Sequence, residues 1–165
     1  MEENKKPILV LGIGNFLFKD GGVGVHVARK MMGMKLPPDV QVIDGGLREV
    51  GFIPLTEGNK KKVIIVTSMK AGGTPGTIYR VSDRDVEEKT KGYYRTVEES
   101  KIILDLEAAY LMGKYPDKVI FIGVEPEDIG DLGDMQLDST LTPVIEGKIP
   151  EIIEAVMKEI RNKSM

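Results

Sequence analysis

The sequence predicts an α/β fold: a three-layer sandwich with a mostly parallel twisted sheet and helices on both faces. Two observations predict it. Short, continuous apolar runs recur at Ile8–Ile13, Val40–Ile43, Val63–Val66 and Val119–Val124. Runs of that length without polar alternation are what strands buried on both faces look like. Segments with apolar residues at three- and four-residue spacing lie among them, and strand-helix alternation of this kind builds a parallel sheet covered by crossover helices.

In order along the chain, Ile8–Ile13 is the first strand, bounded by glycines. Val23, Val27 and Met31, with Ala28 and Met32 beside them, give the first helix, and Pro37-Pro38 stops it. Val40–Ile43 is the second strand. A helix over 47–58 is interrupted by Pro54. Val63–Val66 is the third strand, and Gly72-Gly73-Thr74-Pro75-Gly76 is a turn cluster. Thr77–Val81 alternates apolar and polar residues, as an edge strand of opposite sense does. Residues 82–97 read as a charged loop. Ile102, Leu106, Ala109 and Gly113 line one face of a further helix, and Val119–Val124 is the last strand. Residues 125–140 read as an exposed acidic loop. Ile149, Ile152, Ile153, Val156, Met157 and Ile160 stripe a C-terminal helix, with Pro150 near its first turn. No repeat or long linker divides the chain, so one domain over 1–165 is expected.

The 165 residues suffice for one domain with a sizeable core. A net charge of -3 gives no electrostatic footprint for nucleic acid. The absence of cysteine excludes disulfides, thiolate metal sites and cysteine nucleophiles. No apolar stretch approaches the roughly 20 residues of a membrane span. The N-terminal residues lack a signal-peptide apolar region, so a cytoplasmic protein is expected.

Ligands of open α/β sheets sit beyond the carboxyl ends of the strands. That directs attention to loops 14–22, 44–48, 67–75 and 125–141. The first is glycine-rich: Gly12, Gly14, Gly21, Gly22 and Gly24. A phosphate cradle is one reading of such a loop. Phe16-Leu17-Phe18 would crowd a pyrophosphate, and no Gly-Lys-Ser/Thr follows. Tight turns and close helix-strand packing are the plainer reading.

A set of motifs spread over nearly the whole chain carries a more specific signal. They are Leu11-Gly12-Ile13-Gly14-Asn15, the turn at Asp20, Ile43-Asp44-Gly45-Gly46, Val63-Ile64-Ile65-Val66, Pro75-Gly76-Thr77, the helix over 102–113, Phe121-Ile122-Gly123-Val124-Glu125-Pro126 and Leu137–Val144. In this order they resemble the hydrogenase maturation endopeptidases, nickel-dependent proteases that process the C-terminus of a [NiFe]-hydrogenase large-subunit precursor. The resemblance implies two carboxylates and an imidazole as metal ligands, at the positions of Gly21, Thr67 and Glu98. Here Gly21 offers no side-chain donor, Thr67 a neutral hydroxyl, and Glu98 an oxygen. Transition metals outside thiolate sites are held by imidazole and carboxylate. No metal is therefore expected at these positions. The resemblance implies either a protease acting on the precursor or a degenerate homologue that binds a precursor or partner without cleaving it.

The remaining candidates each have two readings. Asp20 is a cleft carboxylate or the N-cap of the first helix. Asp44 binds an ion or water, or hydrogen-bonds the turn at Gly45-Gly46. Glu98 is a residual ligand, or a first-turn helix charge beside Glu99. Together Asp20, Asp44 and Glu98 would make an oxygen-rich site for a hard ion such as Mg or Ca. His26, the sole histidine, reads as an ordinary helix residue or a base. Asn15, Asp20, Gly21, Asp44, Thr67 and Glu98 are expected to gather at the carboxyl strand ends.

Overall fold

The computed structural model describes residues 6–46, 60–82, 97–130 and 137–162, with side chains from residue 102 onward in the third of these stretches. Its elements are β1 (Ile8–Gly12), a 3-10 turn (Lys19–Gly22), α1 (Val23–Met32), β2 (Val40–Asp44), β3 (Lys62–Ser68), β4 (Ile78–Ser82), α2 (Val97–Leu111), β5 (Lys118–Val124) and α3 (Pro143–Arg161). The sheet runs β2-β1-β3-β5-β4. β1, β2, β3 and β5 are parallel, with Leu9 opposite both Gln41 and Val63. β4 lies at the edge and pairs antiparallel with β5, Val81 opposite Phe121. The expected fold and the reversed edge strand are both found.

Alternate residues of each strand face opposite layers. Ile8, Val10, Ile64, Val66, Ile120 and Ile122 pack under Val23, Val27 and Met31 of α1 and Ile145, Ile149, Ile152, Val156 and Ile160 of α3. Leu9, Leu11, Val63, Ile65, Val119 and Phe121 face the other way, against Ile102 and Leu106 of α2. Each fully buried Leu or Ile contributes about 1.5–3 kcal/mol of apolar transfer. This is why the central strands carry no polar alternation.

Four details differ from expectation. α1 stops at Met32 with Gly33 as its cap, Gly33 N–H donating to the Lys30 carbonyl and Met34 N–H to that of Met31, and the prolines only continue the loop. Gly113 follows α2 and does not line its face. α3 begins at Pro143, its first helical residue after Thr142, so Pro150 lies inside the helix. Residues 125 and 126 are buried, not exposed. The expected helix over 47–58 and the charged loop over 83–96 lie outside the described residues.

Candidate functional site

In the order β2-β1-β3-β5-β4, the connection leaving β1 runs to β2 on one side and the connection leaving β3 runs toward β4 on the other, which makes the carboxyl ends of β1 and β3 the switch point where such sheets take ligands. The chain is packed tightly there. Ile13 N–H donates to the Val66 carbonyl at 3.0 Å. Gly24, at the start of α1, lies so close that a Cβ would run into the carbonyl oxygens of Val66 and Ile13. Gly14 has φ +130°, and a Cβ on it would strike the Gly21 carbonyl. The glycines therefore serve close backbone approach, as the plainer reading had it.

Asn15 shapes the turn that follows. Its Oδ1 accepts from Leu17 N–H at 3.0 Å, and its carbonyl accepts from Phe18 N–H at 3.1 Å. Lys19 then takes a positive φ of 44°, its N–H held by the Asp138 carbonyl at 2.8 Å. Its ammonium pairs with Asp128 at 2.8 Å, which raises the Lys19 pKa and lowers that of Asp128.

Asp20 is neither the cap of α1 nor an open cleft carboxylate. The cap position is Gly22, which makes no side-chain cap. Asp20 is fully buried, and its Oδ2 accepts from the N–H groups of Glu127 and Asp128, each at 3.0 Å. Thr142 donates to the same carboxylate through its N–H at 2.9 Å and its hydroxyl at 2.8 Å. One carboxylate thus joins the first loop, the loop after β5 and the N-terminus of α3.

Asp44 stands at the end of β2 opposite Gly12. Its Oδ1 accepts from Gly46 N–H at 3.0 Å, the turn-holding reading, and its Oδ2 pairs with Arg29 at 2.7 Å. Gly45 N–H donates to the Gly12 carbonyl at 2.8 Å, which ties the β2 loop to β1. Arg29 lies over the Phe16 ring at 4.2 Å, and Phe16 packs on His26 with centroids 4.8 Å apart. His26 Nε2 meets the Ser139 carbonyl at 3.0 Å, and burial holds its pKa below the ordinary value. His26 is thus a clasp between α1 and the segment preceding α3.

Gly21 is buried, and a Cβ there would meet Phe18 Cβ at 3.4 Å and Ile129 Cβ at 4.0 Å, ordinary contact distances. Thr67 is buried at the end of β3, its hydroxyl within 3.3 Å of the Ser68 carbonyl. Gly14, Asn15, Asp20, Gly21, Asp44, Gly45 and Thr67 thus all lie at the carboxyl strand ends. Glu98 lies in the first turn of α2, on the face of the sheet opposite α1, and its side chain is outside the described residues.

The sequence reading missed Glu125. It is buried directly after β5 and accepts from Ala71 N–H at 2.7 Å and from the Tyr79 hydroxyl at 3.0 Å, holding the loop after β3. Its signal was its place at the end of an apolar strand, on the ligand side of the sheet.

The residues present do not fit a resident transition metal. Gly21 has no donor, and the Thr67 hydroxyl is neutral. Asp20 and Asp44 are already held by protein donors. Among the described residues, no three His, Asp or Glu side chains are grouped to hold a metal ion.

Fold and site define a doubly wound α/β protein whose switch-point loops are fastened by buried carboxylates. The family model described as hydrogenase maturation protease matches residues 25–159. The hydrogenase expression/formation protein HupD of Rhodobacter capsulatus is 30% identical over 155 residues, 93% of this chain and 71% of that protein. The coenzyme F420 hydrogenase subunit delta of Methanothermobacter thermautotrophicus is 30% identical over 158 residues, 93% of this chain and 94% of its own length. Among solved structures, the hydrogenase maturating endopeptidase HybD from E. coli superposes with a TM-score of 0.80 at 28% identity, covering 95% of this chain and 93% of that one. The chain belongs to the hydrogenase maturation protease family. Among the described residues, no helix is long and apolar enough to cross a membrane.

Proposed function

We propose that this protein acts in the cytoplasm on a [NiFe]-hydrogenase large-subunit precursor, receiving its C-terminal segment at the carboxyl ends of β1 and β3 for processing. The observation that carries this reading is the loop assembly fastened at that end of the sheet, on a chain similar to a hydrogenase maturating endopeptidase along nearly its whole length. Gly14, Asn15 and Asp20 fix the backbone around position 21, and Ile13 and Gly24 close on Val66 next to position 67. Asp20 also fastens the α3 side of that surface. The test is incubation of the purified chain with a nickel-loaded precursor, followed by intact mass measurement. Release of the C-terminal extension is the expected result.

A second reading is favoured by one specific observation, the side chains at positions 21 and 67. A glycine and a buried threonine supply neither a metal ligand nor a base to activate water. In this reading the chain holds the precursor without cutting it. A precursor that co-purifies with the chain at full length separates this reading from the first.

A further inference from the structure

We propose that this chain binds its precursor without coordinating the precursor's nickel, the metal-ligand positions of its family having been turned over to packing. The proposal rests on the precursor reading above. Its basis is the donor set. At position 21 there is no side chain, and a Cβ there would meet only Phe18 and Ile129, at ordinary contact distances. At position 67 the side chain is a neutral hydroxyl, 1% exposed, beside its neighbour's carbonyl. Glu98 adds one carboxylate by its chemistry, short of the set of nitrogen and oxygen ligands that holds a first-row ion.

The surrounding groups do not make up the difference. Asp20 accepts four hydrogen bonds. Asp44 holds Arg29 and Gly46 N–H. Glu125 holds Ala71 N–H and the Tyr79 hydroxyl. Asp128 holds Lys19 and Gly130 N–H. Recruiting Asp20 or Glu125 to a metal would strand buried donors, at a cost of about 1–3 kcal/mol for each group left unpaired, whereas Asp44 and Asp128 are tied to the more exposed Arg29 and Lys19. His26, the only imidazole in the sequence, has Nε2 against Ser139 and its ring on Phe16. Affinity for a precursor then has to come from protein contacts and not from a bond between this chain and the ion.

The experiment measures binding of the full chain to nickel-loaded and nickel-free precursor by calorimetry, and separately titrates the chain with Ni(II). The expected result is a Kd ratio within about twofold between the two precursor forms and no saturable Ni(II) binding at micromolar concentration. A preference of about tenfold or more for the loaded form overturns the proposal and leaves the precursor reading standing. Micromolar Ni(II) binding by the chain alone overturns it as well. If neither precursor form binds, the precursor reading fails and takes the binding half of this proposal with it, while the Ni(II) titration still decides whether positions 21, 67 and 98 hold the ion. The variant carrying Gly21→Glu, Thr67→Asp and Glu98→His should gain Ni(II) binding. A folded triple variant that stays blind to Ni(II) overturns the assignment of these positions.

Discussion

The two ends of the sheet bury charges of opposite sign for the same purpose. At the carboxyl ends, Asp20 and Glu125 are buried and accept from the backbone N–H groups of Glu127, Asp128, Thr142 and Ala71. At the amino ends, Lys60 and Lys62 are buried and donate to backbone carbonyls: Lys60 to Lys6 at 2.7 Å, Lys62 to Glu159 at 2.8 Å and Asn162 at 2.5 Å. The Glu159 carboxylate lies 4.0 Å from Lys62 and is forked by Arg80. The two ends of α3 supply part of the reason: a helix leaves N–H groups unpaired at its start, where Asp20 meets Thr142, and carbonyls at its finish, where Lys62 meets Glu159 and Asn162, and the helix dipole favours the same signs. The lesson is that a buried acid at the ligand end of this sheet is not evidence of catalysis. Its counterpart at the other end, far from any ligand, is a lysine doing the same structural task.

The comparison breaks first if Asp20 is dispensable. Asp20→Ala removes a carboxylate from four donors and leaves three loops without their common anchor. The expected loss is about 3–5 kcal/mol in unfolding free energy, read by urea titration. Asp20→Asn keeps an acceptor and should lose less. A loss under about 1 kcal/mol for Asp20→Ala would mean that the loops hold one another without it.

Lys62→Met is the matching change at the opposite end. Both Glu159 and Asn162 carbonyls lose their donor, the first buried and the second at an exposed helix end. About 2–3 kcal/mol is expected, with the loss of hydrogen-exchange protection confined to the last turns of α3. Uniform loss of protection would show that Lys62 supports the whole sheet.

These anchors mark the boundary of what the sequence made legible. The strands were readable because central strands of a covered sheet are apolar throughout, and the apolar runs fall within β1, β2, β3 and β5 apart from a residue at one end. For Asp20 the sequence offers only a cleft carboxylate or the N-cap of the first helix, and the structure shows neither. Its actual donors come from residues 107, 108 and 122 positions downstream, which no local pattern reports. Glu125 was assigned to a solvated loop because glutamate is rarely buried unless paired, and its partner Tyr79 lies 46 positions away. The end of α1 was misplaced because two prolines outweighed the nearer Gly33, itself a stop signal. Two prolines compete for the first turn of the last helix, and it is Pro143, directly after Thr142, that fills it and leaves Pro150 inside.

His26 offers a smaller and pH-dependent test of the same end of the sheet. Burial lowers its pKa in the folded state, against the pull of Ser139, Glu146 and Asp20 and with the help of Arg29. The unfolded chain takes up this proton near the ordinary value of about 6.5, and the folded chain resists it. His26 therefore favours the fold above that value, and its contribution is lost as pH falls through the folded-state value. His26→Gln should cost about 1 kcal/mol at pH 8, from the weakened tie to Ser139. The gap between variant and wild type should narrow on acidification to pH 5. A gap that widens toward pH 5 would mean that the folded protein binds the charged imidazole.

The smallest expected effect belongs to Gly21, and it decides how the other glycines are read. A Cβ at Gly24 collides with backbone, whereas a Cβ at Gly21 meets only Phe18 and Ile129 at 3.4 and 4.0 Å. Gly21 also lacks the positive φ of Gly14, so alanine there suffers no backbone strain. Replacing glycine at a compatible position removes freedom from the unfolded chain. Gly21→Ala should thus leave stability unchanged or raise it by up to about 1 kcal/mol, measured by thermal and urea unfolding. That result would show a position where the fold tolerates a side chain that the sequence does not supply. A loss of more than about 2 kcal/mol would instead make glycine a packing requirement at this turn, as it is at Gly24. In that case the missing ligand at position 21 is a consequence of how Phe18 and Ile129 close over the loop, and restoring a carboxylate there would first require making space for it.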